Sequence, residues 1–269
     1  MSRTFSELML DVHDGVATIT FNRPEARNPL GGAMREEFAE AVGELAEMAG
    51  KCIHGVILTG NGPAFCAGGD IKVLREMTEK GRDAMRARMK ESHAILECWL
   101  DLPVPTIAAV NGAAAGAGFS LAIACDFVIA AERARFAMSF GKIGLVPDWG
   151  AMYLLPRIVG LQRARELVLT ARMVGALEAR DLGLVLDVVP DDALLDHALE
   201  LAGRFRHASP EAIGLAKRIM GEASETSRTV ALDAEADAQA DANAGGYHRA
   251  ALERFLSKEP PLFDWDKPS

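Results

Sequence analysis

Four cysteines are all the chain has, Cys52, Cys66, Cys98 and Cys125, and no two of them stand as a CxxC pair. That spacing argues against a zinc site and against a dithiol redox motif. The expectation is reduced thiols in a cytoplasmic protein. Positive charge is in deficit: 29 Lys and Arg face 38 Asp and Glu, a net charge of −9. A surface of that sign argues against general nucleic-acid binding. An anionic small ligand stays open, because it needs only a local basic patch. The N-terminal stretch "MSRTFSELMLDV" lacks the apolar run of a signal peptide. Uninterrupted apolar length is scarce as well. Residues 102–125, "LPVPTIAAVNGAAAGAGFSLAIAC", carry no charge, and that length spans a membrane if helical. Pro103, Pro105, Asn111, Gly112, Gly116 and Gly118 interrupt it. It reads as a buried strand, a glycine turn and a buried helix, and no membrane partner is expected.

What is present is core material: 49% of the 269 residues are hydrophobic and 25% charged, the balance of a globular domain. "GVATITFN" alternates and is β-rich, which predicts a strand at Val16–Phe21. Met34, Phe38, Val42, Leu45 and Met48 recur at helical spacing. "GVILTG" reads as a short buried strand, "IKVLREM" as a helix, and residues 82–100 as a longer one. "PTIAAVNG" and "DFVIAA" read as strands around the helix "GFSLAIAC". "ARELVLT" and "ALEARDLG" read as helices, and "LVLDVVP" as a strand. From Asp191 onward the pattern is almost wholly helical. Strands alternating with helices imply an α/β core, expected over residues 1–200, with a helical region over 201–269. The acids Asp233, Glu235, Asp237 and Asp241 have no ligand partners nearby in sequence and read as a solvated helix face.

Two loops share one design. "AFCAGGD" follows the strand "GVILTG", and "VNGAAAGAG" follows "PTIAAV". Small residues let a ligand approach backbone N–H groups closely, and N–H groups at a helix start favour negative charge. One N–H from each loop would cradle a single oxygen as an oxyanion hole. Tight turns and close packing are the plainer reading of either loop alone. Neither loop carries the lysine of a nucleotide-binding P-loop. A third stretch, "GLVPDWGAMYLLPRIVG", holds one acid, Asp148, among Leu145, Val146, Pro147, Trp149, Met152 and Leu154. Such neighbours desolvate a carboxyl and raise its pKa. By itself the stretch also reads as a helix N-cap, since Asp148 precedes "GAMYLLPRIV" and aspartate is a favoured cap.

Taken together, "ITFNRPEARNPL", "VILTGNGPAFCAGGDIK", "PTIAAVNGAAAGAGFSLAIACDFVIA", "KIGLVPDWGAMYLLPRIVG" and "ALERFLSKEPPLF" resemble the enoyl-CoA hydratase/isomerase (crotonase) superfamily, in family order and over nearly the whole chain. The resemblance implies an α/β spiral of repeated ββα units with a C-terminal helical trimerisation region, assembled as a homotrimer or dimer of trimers. It implies an acyl-CoA substrate, no metal and no redox cofactor, with coenzyme A present only as part of that substrate. By position, the oxyanion donors fall on the N–H groups of Gly69 and Ala117. Ala67 matches the residue whose carbonyl receives the adenine amino group, within the loop that also holds Gly68, Asp70 and Ile71. Arg27, Lys72 and Lys258 match basic positions near the phosphates, Lys258 acting across a subunit boundary.

The two glutamates that hydratases of this superfamily use fall here on Ser120 and Phe140. Neither exchanges protons near neutral pH, so ordinary hydration is not expected. Several isomerases keep a single carboxylate where Asp148 stands, and "AAGAG" with "GLVPD" is similar to the phenylacetate-pathway type. The resemblance therefore shifts Asp148 from cap to proton shuttle, with Phe140, Trp149, Ser120 and His93 shaping the acyl pocket. Two alternatives use the same sequence. In 4-chlorobenzoyl-CoA dehalogenases an aspartate at this position attacks the aromatic ring, and a histidine at the place of His93 activates water. In other relatives acyl-CoA is bound without turnover.

Overall fold

The computed structural model describes residues 1–266. The expected helical region therefore has three residues, 267–269, outside the described ones. The chain opens with three antiparallel strands, β1 (Ser2–Thr4), β2 (Leu8–His13) and β3 (Val16–Phe21). Helix α1 (Ala33–Met48) follows, burying Met34, Phe38, Val42 and Leu45 as the periodicity predicts. From there a unit of two strands and a helical segment recurs. The first unit is β4 (Gly55–Gly60), β5 (Ala64–Cys66), α2 (Ile71–Lys80) and α3 (Arg82–Leu100). The second is β6 (Thr106–Val110), β7 (Ala113–Ala115) and α4 (Ala117–Ile123). The third is β8 (Phe127–Ala131), β9 (Arg135–Ala137), a 3-10 turn and α5 (Ala151–Thr170), which is broken at Gly160.

Each turn of the chain adds one strand to each of two sheets. The larger runs β1-β2-β3-β4-β6-β8-β11, closed by β11 (Asp187–Val189), and is parallel from β3 onward. The smaller runs β10-β9-β7-β5, where β10 is Val174–Gly175. This stepwise advance is the spiral of ββα units. Inward residues of the large sheet, such as Val56 and Leu58, join the main core with Phe21, Phe38, Phe65, Trp99 and Phe119. Outward residues, Ile57, Ile107 and Ile129, are covered by Leu194, Ala198 and Leu201 of α7 (Leu194–Gly203). The period-2 alternation of a strand buried on both faces accounts for the split. Helix α6 (Ala176–Asp181) lies between β10 and β11. The boundary that the sequence reading draws between residues 200 and 201 falls inside α7. Beyond it run α8 (Pro210–Glu222), α9 (Arg228–Ala244) and α10 (Gly246–Leu256). The acids Asp233, Glu235, Asp237 and Asp241 are exposed on α9. Among the described residues no helix is long and apolar enough to cross a membrane.

β5, β7, β9 and β10 are the elements that sequence pattern does not announce. Each has two or three residues, too few for a period to show, and each exists because a neighbour completes its hydrogen bonds. β5 and β7 fall inside stretches that read as loop and turn, and they hold the two glycine loops of the candidate site together.

Candidate active site

Parallel pairing of β5 with β7, in the register Ala64↔Ala113 and Cys66↔Ala114, sets the two glycine-rich loops side by side. Several of their glycines serve that contact. A Cβ on Gly118 would run into the carbonyl of Cys66, and one on Gly112 into that of Pro63. Gly68 has φ 98°, and a Cβ there would stand 2.7 Å from the Ala115 carbonyl oxygen and 3.5 Å from the Ala117 nitrogen. Close packing and a ligand cradle are thus compatible readings, because the packing is what sets the two loops side by side.

The two N–H groups singled out from the sequence have no backbone acceptor among the described residues. For Gly69 the reason is its bridge to Leu30. Leu30 donates to the Gly68 carbonyl at 2.6 Å and Asp70 donates to the Leu30 carbonyl at 3.4 Å, so the intervening N–H of Gly69 faces away from that partner. For Ala117 the reason is its place as the first residue of α4, where an N–H has no intrahelical partner. Gly69 and Ala117 line one cavity together with Asp148, Trp149 and Leu30. The enclosed space is small, about 30 Å³, and its lining includes the flexible side chains of Leu74 and Met89.

Asp148 is not a helix cap. The N-cap of α5 is Gly150, with no side-chain cap bond, and Asp148 contributes only its carbonyl, which accepts from Ala151 N–H at 3.1 Å. The chain reverses through two left-handed residues, Trp149 (φ 49°) and Gly150 (φ 75°). A side chain at 150 would be strained at that φ, and its Cβ would press on the Leu96 side chain at 2.7 Å. A large residue held at positive φ is strained. Here Trp149 is buried and its ring meets Phe38 edge-on at 6.3 Å. The turn leaves Asp148 Oδ1 buried without a hydrogen-bond partner among the described residues. Burial pushes the carboxyl from 3.8 up to about 6, opposed by its own backbone N–H and by the charge of Arg88. The cavity's other carboxylate, Asp70, is engaged: it caps α2 by accepting from Lys72 N–H at 2.9 Å and pairs with Arg23 at 3.2 Å. Cys66, beneath the loop, is inert, because burial pushes its thiol up to about 12.

The remaining residues expected at the site divide. Ala67 is exposed, and its N–H donates to the Arg27 carbonyl at 2.9 Å, so these two are neighbours. Gly68, Asp70, Ile71 and Lys72 form the loop and first turn of α2, where Ile71 and Lys72 are exposed. Lys258 stands exposed in the turn after α10. Ser120 and Phe140 do not line the cavity. Ser120 Oγ donates to the Gly116 carbonyl at 3.2 Å, and the Phe140 ring lies 3.7 Å from where a Gly116 Cβ would be, so both support the residue before Ala117. His93 is exposed and borders a separate cleft with Leu96, Tyr153 and Lys217. The buried face of α3 runs through Ser92, Leu96 and Trp99, and His93 is about 100° of helix rotation from Ser92.

Sequence reasoning passed over two residues of this cavity, Arg35 of α1 and Arg88 of α3. A signal existed. Arg35 precedes Phe38 and Val42 by three and seven positions, and Arg88 precedes Ser92 and Leu96 by four and eight. Both are charges written at the edge of an apolar stripe.

Residues 11–266 match the enoyl-CoA hydratase/isomerase family. The chain is 35% identical to the 1,2-epoxyphenylacetyl-CoA isomerase of Escherichia coli over 95% of its length and 97% of that protein's. It is also 35% identical to a probable enoyl-CoA hydratase of Rhodobacter capsulatus, over 97% and 98%. The crystal structure of an enoyl-CoA hydratase/isomerase from Cupriavidus metallidurans superimposes with a TM-score of 0.91 at 37% identity, covering 97% of each chain. With its spiral of ββα units and its paired glycine loops, the chain belongs to the enoyl-CoA hydratase/isomerase family.

Proposed function

We propose that the protein is an acyl-CoA double-bond isomerase in which Asp148 carries the proton. The observation that carries this reading is the state of Asp148: a buried carboxyl with an unpartnered oxygen, pushed up to about 6, in the same cavity as the N–H groups of Gly69 and Ala117. A base of that pKa is ionised at neutral pH and still close enough to hold a proton in transit. Asp148 takes a proton from C2 of a 3-enoyl thioester. The C–H electron pair moves toward the thioester oxygen, giving a dienolate whose charge the two N–H groups hold. Asp148, once protonated, trades its proton with solvent in competition with delivering one to C4; delivery at C4 leaves the double bond between C2 and C3. One carboxyl suffices because the reaction has no net gain or loss of protons. Hydration by two glutamates has no counterpart in Ser120 and Phe140, which pack behind the hole.

For the rest of the substrate, the carbonyl of exposed Ala67 takes the adenine amino group, and the exposed Arg27 and Lys72 meet the phosphates. A homotrimer, or a dimer of trimers, would bring Lys258 of a neighbouring subunit to the phosphates. The apolar residues that α9 and α10 expose, among them Val230, Leu232, Phe255 and Leu256, support assembly through this region. The position of His93 does not favour ring displacement at Asp148. The test is proton exchange: incubated with an enoyl-CoA in deuterated water, the protein should wash α-protons out of the thioester. Binding without exchange would leave an acyl-CoA-binding protein and no isomerase.

A further inference from the structure

Two cationic side chains of the cavity, Arg35 and Arg88, carry no proton in that chemistry. Arg35 is 9% exposed, and its Nη2 donates to Glu91 Oε2 at 3.0 Å. Glu91 is itself mostly in solvent, so it anchors the guanidinium from outside. The Nε and Nη1 groups of Arg35 are buried and meet no acceptor among the described residues. Arg88 lines the same cavity. Burial depresses its pKa, the neighbouring charge of Arg35 adds to that, and Glu91, Glu36 and Asp148 oppose it. Two guanidiniums therefore crowd one small apolar-walled space that also holds the proton-transfer base. Burying a charged donor without an acceptor is costly, so an anionic ligand that supplies the acceptor is favoured at this place.

We propose that the acyl group this site takes ends in a carboxylate, so that its substrates are CoA thioesters of short dicarboxylic enoyl acids. The carboxylate accepts from the Arg35 N–H groups that Glu91 leaves unused, and Arg88 supplies the second positive charge. This rests on the cavity being the acyl-CoA site. A guanidinium meets a carboxylate with charge-assisted hydrogen bonds at fixed geometry. Arg88, whose charge already acts on Asp148, stands to screen the two anions from one another. The chain is held at both ends, at the oxyanion hole and at Arg35, which line the same cavity.

The experiment is titration calorimetry of the full-length protein with three saturated probes that cannot turn over: adipyl-CoA, hexanoyl-CoA and 6-hydroxyhexanoyl-CoA. The expected result is adipyl-CoA binding roughly ten- to a hundredfold tighter than hexanoyl-CoA, the range of a charge-assisted contact. Arg35→Met should abolish the preference and Arg35→Lys should retain part of it. Should the methionine variant fail to fold, Arg88→Gln carries the same test with a smaller loss. Equal affinity of the wild type for adipyl-CoA and hexanoyl-CoA would overturn the inference, as would 6-hydroxyhexanoyl-CoA binding as tightly as adipyl-CoA. A preserved adipyl preference without proton exchange would remove the isomerase reading alone. Binding of none of the three would remove both.

Discussion

Replacing Asp148 by asparagine should make the protein more stable and far less active. The side chain keeps its shape and loses its charge. In the folded chain the carboxyl sits at about 6, against 3.8 in an open environment. The folded state then binds the proton more tightly than the unfolded state. Stability is accordingly highest when Asp148 is protonated, falls as pH rises through the window between 3.8 and about 6, and carries the full penalty above it. At ~1.4 kcal/mol per unit of pKa, that penalty is at most about 3 kcal/mol. Asp148→Asn removes it. Melting curves near pH 8 should show the variant several degrees more stable, and at about pH 4 the two proteins should converge. On the same preparation, 3-enoyl-CoA isomerisation should drop by ~10²–10⁴-fold, the usual contribution of one positioned acid–base group. A fully active variant would refute the shuttle. A variant less stable than the wild type near pH 8 would refute the burial argument, and would mean that the carboxylate is held by bonds in the folded protein.

The pH–rate profile of kcat/KM should rise through an acid limb near the Asp148 pKa of about 6. Arg88→Gln should move that limb upward, since the Arg88 charge holds the carboxyl down; an unmoved limb would assign it to another group. Gly69→Val leaves the backbone N–H but fills the space before it. A Cβ there meets only the flexible Leu74 side chain at 3.3 Å, so the variant should fold while kcat/KM falls by ~10² or more, as when an oxyanion contact is lost. Unchanged kinetics in a folded Gly69→Val protein would displace the hole from this loop. Deletion of residues 225–269 should yield smaller or aggregated species in light scattering, because an apolar contact region is cut; a full-length protein that runs as a soluble monomer would contradict the assembly.

Much of this protein is legible before any coordinates. The alternation of "GVATITFN" and the helical spacing of Met34, Phe38, Val42 and Leu45 become β3 and α1 because each pattern has one apolar face to bury. The glycine loops and the lone Asp148 are legible as a candidate site, but by themselves they read as tight turns and a helix cap, and the resemblance to a family is what made them an expectation of chemistry. Tertiary structure decided the rest. Whether Asp148 caps a helix or stands unpaired depends on a turn through Trp149 and Gly150, and positive φ at a tryptophan is not written in local preference. Which way α3 faces was settled by Trp99 and Leu96 entering the core, which turned His93 outward and Arg88 inward. The apposition of Gly69 and Ala117 rests on the three-residue strands β5 and β7, whose hydrogen bonds exist only once each has the other. Arg35 shows the limit most plainly: a charge at the margin of an apolar stripe reads as solvated, and only the packing of α3 over it made it part of the site.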